Sequence, residues 1–574
     1  MRASDYVASF LVAQGVRCVF EVIGGMITHL VDSCHRQNGL KVVSVHHEQA
    51  AAFAADGFGR ITGIPGVALA TSGPGAINLL TGVGSSYFDS SPAVFITGQV
   101  NRNEQKGDRA IRQLGFQEAD IVTMAQPITK AAWKVEKPEE LPQLLEAAFK
   151  LAISGRPGPV LLDIPMDVQR AEIQTFGPEK KVSTDCGTPI DPVAITELLN
   201  ALNSASRPLI LAGGGVRSAQ AVDLFREFVG AVNIPVVTSL LGLDVLPYNH
   251  PLRAGFIGSY GNRWANLAVG SSDLLLVLGS RLDIRQTGSD TEAFKKDRLI
   301  FHVDCEAGEM NNRIRGCTAI RSHLYPFLVE AICLSKQRHF PAKHTWAAEI
   351  DKLRIQWPDI LENKDRPGIN PNRLMHELSE ASTRAAAFVT DVGQHQMWAA
   401  QSLDLQGNQR FLTSGGMGAM GFGLPAAVGT AMANPGTPVV VIAGDGGFQL
   451  NIQELQTVVR NNIPLKIVVI NNQCHGMVRQ FQQSYFDERY HSTYWGYSAP
   501  SFARLAHAYG IESLTVESQA SIASALDLMW ADPSRPFLLE VMVDTLTNVY
   551  PKIAFGHPFT EMEPFAKPIA MEGT

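Results

Sequence analysis

The stretch GDGGFQLNIQELQTVVRNNIPLKIVVINNQ, from Gly444 to Gln473, constrains this chain more than any other. An apolar run, VVVIAGD, ends in a Gly-Asp-Gly turn. A helix-like segment follows, then a second apolar run, LKIVVINN, that ends in paired asparagines. The pattern predicts strand, turn, helix, strand. Asp445 and Asn472 then stand at the carboxyl ends of two parallel strands, where open α/β sheets bind ligands. One carboxylate and one amide oxygen suit a magnesium ion that keeps other positions for phosphate oxygens. Gly444, Gly446 and Gly447 let a diphosphate approach the backbone closely. A bare GDG fits any tight strand-to-helix turn; the spacing to the Asn pair is the part that points to a ligand.

The same alternation of apolar runs and helical stretches covers most of the 574 residues. Three blocks emerge, each predicted to be a doubly wound parallel sheet with helices on both faces. The first, residues 1–182, carries RCVFEVIG, LKVVSVHHE, GVALATS, PAVFITG and PVLLDIP. The second, 190–345, carries LILAGGGV, IPVVTS, DLLLVLGS and RLIFHVD. The third, 365–545, carries AAAFVTD, TPVVVIAGD, LKIVVINN and PFLLEVMV. Polar, proline-containing stretches separate the blocks, and residues 546–574 read as an irregular tail.

Composition narrows the classes. With 45% hydrophobic and 18% charged residues the chain can bury a sizeable core. A net charge of −7 and the lack of any basic run exclude a nucleic-acid surface. Seven scattered cysteines, without a CxxC pair, argue against a disulfide framework or a zinc site. They fit a reducing cytoplasm. The opening MRASDYVASFLVAQG reads as an amphipathic helix rather than a signal peptide, and no run of about 18 apolar residues suggests a membrane span.

In VVSVHHEQAAAFAADGFGRITG a strand ends at His46-His47-Glu48 and a helix begins. A carboxylate there can simply stabilise the helix N-terminus. Beside a diphosphate and metal motif it has a second reading, as a proton-relay group.

The Gly444–Gln473 segment resembles the metal and diphosphate motif of thiamine diphosphate (ThDP) enzymes. Further stretches are similar to acetohydroxyacid (acetolactate) synthases: HEQAAAFAADGFGRITG, TSGPGAINLLTG, GFQEAD, GRPGPVLLDIP, TDVGQHQMWAA and SGGMGAMGFGLPAA. Together they span nearly the whole chain. The resemblance implies three domains of the pyruvate oxidase and decarboxylase type: pyrimidine-binding, then a central domain with a flavin site, then diphosphate-binding. It implies that Asp445, Asn472 and the main-chain carbonyl of Cys474 bind Mg2+. Val392, Gly393, Gln394, His395, His475 and Gly476 then meet the diphosphate, and Gly418 and Met420 flank the aminopyrimidine ring. Glu48 would shift that ring to its imino form, which removes the thiazolium proton intramolecularly. Phe116 and Gln117 fall beside the reacting centre. Gly25, Met477, Phe481 and Arg285 fall in the substrate pocket.

The implied reaction is decarboxylation of a 2-oxoacid, pyruvate first, with transfer of the acetyl-equivalent unit to a second carbonyl. The implied assembly is a homodimer or homotetramer, since the coenzyme of this family lies between two subunits. Three departures leave the acceptor open. DIPMD has Met166 where the family has Lys, GMVRQF has Phe481 where the family has Trp, and RLDIR replaces RFDDR while keeping Arg285. A non-carboxylate ketone such as a nucleotide-linked keto-deoxysugar is therefore an alternative acceptor, and the closing PKIAFGHPF resembles enzymes of deoxysugar pathways. A pyruvate oxidase with redox-active FAD is the third reading. The turn Gly213-Gly214-Gly215 and the similarity around RLDIR imply bound FAD, structural in the first two readings.

Overall fold

The computed structural model describes residues 1–174 and 192–569. The predicted boundary at residue 182, and the linker after it, lie outside the described residues. Each block forms one six-stranded parallel sheet.

The first sheet holds β1 (Cys18–Val22), β2 (Lys41–Ser44), β3 (Gly66–Ala70), β4 (Ala93–Gln99), β5 (Ala131–Lys134) and β6 (Pro159–Pro165), in the order 2-1-3-4-6-5. The second holds β7 (Pro208–Ala212), β8 (Val236–Thr238), β9 (Arg253–Phe256), β10 (Leu274–Leu278), β11 (Leu299–Asp304) and β12 (Thr318–Arg321). Its order, 9-8-7-10-11-12, has the dinucleotide-binding form, with the direction of winding reversing between β7 and β10. The third holds β13 (Ala387–Thr390), β14 (Arg410–Leu412), β15 (Val439–Gly444), β16 (Leu465–Asn471), β17 (Glu512–Val516) and β18 (Phe537–Met542), in the order 14-13-15-16-18-17.

The first and third sheets thus share one topology, and they pack on each other through equivalent helices. The helix Glu48–Thr62 lies against Gly423–Ala433. A Cβ on Gly57 would sit 2.2 Å from the Ala426 carbonyl oxygen, and one on Gly429 would sit 1.8 Å from that of Ala54. The contact is reciprocal, as in a two-fold interface. Phe53 meets Phe422 edge to face at 5.4 Å, and one buried apolar cluster runs through both domains.

The chain's close is more regular than its composition suggests. Two short strands, β19 (Lys552–Ile553) and β20 (Met562–Glu563), pair antiparallel. Ile553, Phe559 and Met562 are buried in the core of the central domain, which explains why this segment folds back. Among the described residues no helix is long and apolar enough to cross a membrane.

Candidate active site

The Gly-Asp-Gly turn and the Asn pair stand at the ends of β15 and β16, adjacent strands paired in parallel from Val439 opposite Leu465 to Gly444 opposite Ile470. Asp445 opens the helix Asp445–Leu450, and its Oδ1 accepts from the Gly446 N–H at 3.0 Å. Its Oδ2 is buried and makes no hydrogen bond of acceptable geometry, although the Tyr497 hydroxyl stands near enough to interact electrostatically. Burial pushes the Asp445 carboxyl up to about 7. A buried carboxylate oxygen with no donor fits the role of a cation ligand. Asn472 lies beside it in the fold: Oδ1 accepts from the Cys474 N–H at 3.2 Å, and Nδ2 donates to Gln394 Oε1 at 3.0 Å. The Cys474 thiol points instead at the Thr545 carbonyl, 3.6 Å away. Among the described residues no group of three or more His, Cys, Asp and Glu side chains could hold a metal by itself. A hard cation here would need amide, carbonyl and ligand oxygens, and Asp445, Asn472 and the Cys474 carbonyl could supply the protein's share.

The glycines around this point are filled by specific neighbours. A Cβ on Gly444 would meet the His395 ring at 2.8 Å, one on Gly446 the His475 ring at 2.6 Å, and one on Gly476 the Gln394 side chain at 1.9 Å. Met420 reaches the same spot, its methyl 3.4 Å from where a Gly446 Cβ would be. His395 is buried with Nε2 unpartnered, and burial pushes its pKa down to about 3, so the ring is neutral. Val392 sits next to Gly418, which has φ +69°. The structure therefore brings together Val392, Gly393, Gln394, His395, Gly418, Met420, Gly444–Gly447, Asn472 and Cys474–Gly476.

Asp391 organises this cluster and was missed in the sequence reading. It accepts from the N–H groups of Val392 (2.7 Å), Gly421 (3.0 Å) and Gly423 (2.9 Å), and a Gly447 Cβ would collide with it at 2.5 Å. Its place in TDVGQH, directly after a strand, was the available signal.

The first-domain residues form a second group. Glu48 is 9% exposed at its helix N-terminus, after the His47 cap. Asn78 Nδ2 donates to Glu48 Oε2 at 2.9 Å. Gly75 leaves room for the other oxygen: a Cβ there would stand 3.0 Å from Oε1. Gln117, at φ +65°, packs on the Gly73 turn that starts the helix Pro74–Phe88, so the Phe116–Gln117 loop and Glu48 border one helix end. Phe116 is 78% exposed.

The substrate-pocket residues are spread out. Gly25 sits on an exposed turn where a Cβ would meet nothing within 4 Å; the crowded glycine is Gly24, against Thr71. Met477 and Phe481 share the helix Gly476–Tyr485, with the Phe481 ring 4.7 Å from that of Tyr485 and tilted to it. Arg285 is exposed and forms no ion pair among the described residues. It lines a cleft of about 330 Å³ that runs along the switch point of the central sheet, past Gly214, Gly215 and Ser280, to Val392 and Gly418. The Gly213 and Gly215 positions are closed by the Gly279 backbone, at 2.1 and 2.7 Å. Their glycines are therefore explained by packing of two strand-end turns, while the cleft itself is the dinucleotide-shaped feature.

Comparison with known proteins is decisive. Three thiamine pyrophosphate enzyme models match in order: the N-terminal TPP binding domain over residues 1–124, the central domain over 195–330, and the C-terminal TPP binding domain over 391–541. Relatives match end to end. The acetolactate synthase isozyme 2 large subunit of Escherichia coli is 39% identical over 98% of this chain and 99% of its own length. The acetolactate synthase large subunit of Lactococcus lactis is 36% identical over 97% and 95%. The probable acetolactate synthase large subunit of Methanocaldococcus jannaschii is 35% identical over 100% and 96%. This chain belongs to the acetolactate synthase family of ThDP enzymes. It is a ThDP-dependent carboligase, an enzyme that forms carbon–carbon bonds, and its three α/β domains are the family's N-terminal, central and C-terminal domains.

Proposed function

We propose that the enzyme takes pyruvate as donor, releases its carboxylate as carbon dioxide, and joins the remaining two-carbon unit to the carbonyl of a second 2-oxoacid. The observation that carries this reading is the buried, donorless Asp445 oxygen beside Asn472 on a bed of glycines. Asp445, Asn472 and the Cys474 carbonyl hold Mg2+, and the diphosphate lies along Gly444–Gly447 with Val392–His395, His475 and Gly476 around it. Gly418 and Met420 flank the aminopyrimidine. When bound, ThDP supplies the nucleophilic carbon and the electron sink for decarboxylation.

The chain's own residues do the rest. Asn78 holds one oxygen of Glu48, leaving the other to exchange a proton with the pyrimidine ring. Met420, Met477, Phe481 and the exposed Phe116, with Gln117, keep water from the reacting carbon. Arg285, with no ion pair among the described residues, offers a guanidinium to the acceptor carboxylate, and Gly25 leaves open space for the substrate. FAD fits the cleft of about 330 Å³ at the central switch point, in a structural role. A large apolar side chain 78% exposed, as Phe116 is, needs a cover, which a second copy of the chain supplies; the active unit is a homodimer or homotetramer.

One observation favours a wider acceptor range. Met166 is apolar at the start of the helix Met166–Arg170, and the Phe481 ring is drawn into a cluster with Tyr485 and Phe486. A neutral ketone, such as a nucleotide-linked keto sugar, is then also accepted. Incubation with pyruvate, ThDP and Mg2+, with and without added ketones, tests both readings. Acetolactate and carbon dioxide are expected from pyruvate alone. Failure to consume pyruvate, or release of peroxide from it, would contradict the carboligase assignment of substrate.

A further inference from the structure

The C-terminal tail reaches the surroundings of both Phe481 and Arg285 through two consecutive residues. Lys552 is 3% exposed and pairs with Glu563 across the β19–β20 ladder at 3.3 Å. Its ammonium stands 5.3 Å from the centre of the Tyr485 ring, and Tyr485 meets Phe481, one helical turn earlier, with the rings tilted at 50°. The next residue faces the other way. The Ile553 N–H donates to the Ser259 carbonyl at 2.8 Å, and the Ser259 N–H donates to the Arg285 carbonyl at 2.6 Å. Ile553 also packs 3.5 Å from where a Cβ on Gly288 would lie.

The tail is held rigidly enough to transmit these contacts. Arg263, 4% exposed, donates to the Glu563 carbonyl at 2.9 Å and to both oxygens of Glu362, and its guanidinium lies 4.8 Å from the centre of the Phe565 ring. Adjacent Cα atoms in a strand are fixed about 3.8 Å apart, and their side chains point to opposite faces. The helix of the third domain that carries Phe481 and the short helix Ile284–Thr287 of the central domain that carries Arg285 are therefore tied to one dipeptide.

We propose that Lys552 and Ile553 are positioning residues that set the spacing between Phe481 and Arg285, and with it the choice of acceptor. The inference rests on the acceptor roles proposed above for those two residues. It predicts a selective effect. Loosening the dipeptide changes which 2-oxoacid is accepted and leaves the donor half of the reaction, which ends before the acceptor binds, at its normal rate.

The test uses the full-length holoenzyme with pyruvate and 2-oxobutyrate in competition, reading the ratio of the two acetohydroxy acids. The donor half is read separately, as pyruvate decarboxylation with ferricyanide as electron acceptor in place of a second carbonyl. Replacing both members of the buried pair, K552M with E563Q, avoids stranding a charge. We expect the product ratio to shift about fivefold with the ferricyanide-linked rate unchanged, and K552R with Glu563 intact to keep the native ratio. Ile553→Ala, which trims the contact on Gly288, reads the same effect from the other side, should the first variant fail to fold. Phe481→Leu and Arg285→Gln calibrate the assay. If they move the ratio and the tail variants do not, the tail inference is overturned and the acceptor reading stands. If no variant moves it, the acceptor reading fails and takes the inference with it.

Discussion

Asn472 and Gln394, residues 78 positions apart in the chain, meet amide to amide: Nδ2 of Asn472 donates to Oε1 of Gln394 at 3.0 Å. Gln394 is itself fixed, donating from Nε2 to the Thr547 carbonyl at 3.1 Å. The pair decides which end of the Asn472 amide is oxygen at the Cys474 side, and so where a metal finds its neutral ligand.

Gln394→Leu is predicted to weaken Mg2+-dependent ThDP binding about 10- to 100-fold, the usual cost of losing a group that orients a ligand. Calorimetric titration of the coenzyme at fixed magnesium checks it. Unchanged affinity would mean that Asn472 needs no such orientation.

Gly429→Ala is predicted to destabilise the enzyme by about 1–3 kcal/mol, because the new methyl meets the Ala54 carbonyl in the helix contact between the first and third domains. Thermal denaturation of the apoenzyme should show a lower midpoint. A Gly57→Ala variant should behave alike, since its methyl meets Ala426 in the reciprocal contact.

Asp163 supplies a pH dependence. Burial pushes its carboxyl from 3.8 up to about 7, against hydrogen bonds from Thr97 (2.7 Å) and Gln99 (3.1 Å) that favour the ion. Between pH 4 and 7 the folded chain then binds the proton and the unfolded chain does not. That contribution favours folding at low pH and is lost as pH rises through the window, with a slope of at most about 1.4 kcal/mol per pH unit. Urea denaturation from pH 5 to pH 8 should show Asp163→Asn gaining stability relative to the natural enzyme as pH rises. A gap that narrows with pH would contradict the assignment.

Much of this architecture was legible in the sequence, and what was missed has one physical cause. Every central strand, buried on both faces, appeared as a mostly apolar run, as in DLLLVLGS and in PVLLDIP, where Asp163 is the one polar residue. The strands overlooked, β5, β9, β12, β14 and β17, all lie at sheet edges. There the apolar run breaks, as in Thr318–Arg321, where only Ile320 is buried. The site behaved the same way. Asp445, Asn472 and Glu48 could be read because each sits where a strand ends in a short motif. Asp391 stands in such a motif too, TDVGQH, but its hydrogen bonds to Gly421 and Gly423, like the bond from Asn78 to Glu48, join groups that only the fold brings near. The tail was read as irregular because its buried Ile553, Phe559 and Met562 follow neither a helical nor a strand period.

The central claim is a division of labour between two carboxylates: Asp445 secures the coenzyme through the metal, and Glu48 moves its proton. Proton–deuterium exchange at C2 of bound ThDP tests it most directly, measured in Glu48→Gln at saturating coenzyme, with the ThDP affinity of Asp445→Ala as its companion. The account predicts that Glu48→Gln binds ThDP normally but exchanges about 10²–10⁴-fold more slowly, whereas Asp445→Ala fails to bind at ordinary magnesium. Native exchange in Glu48→Gln, or native affinity in Asp445→Ala, would contradict it.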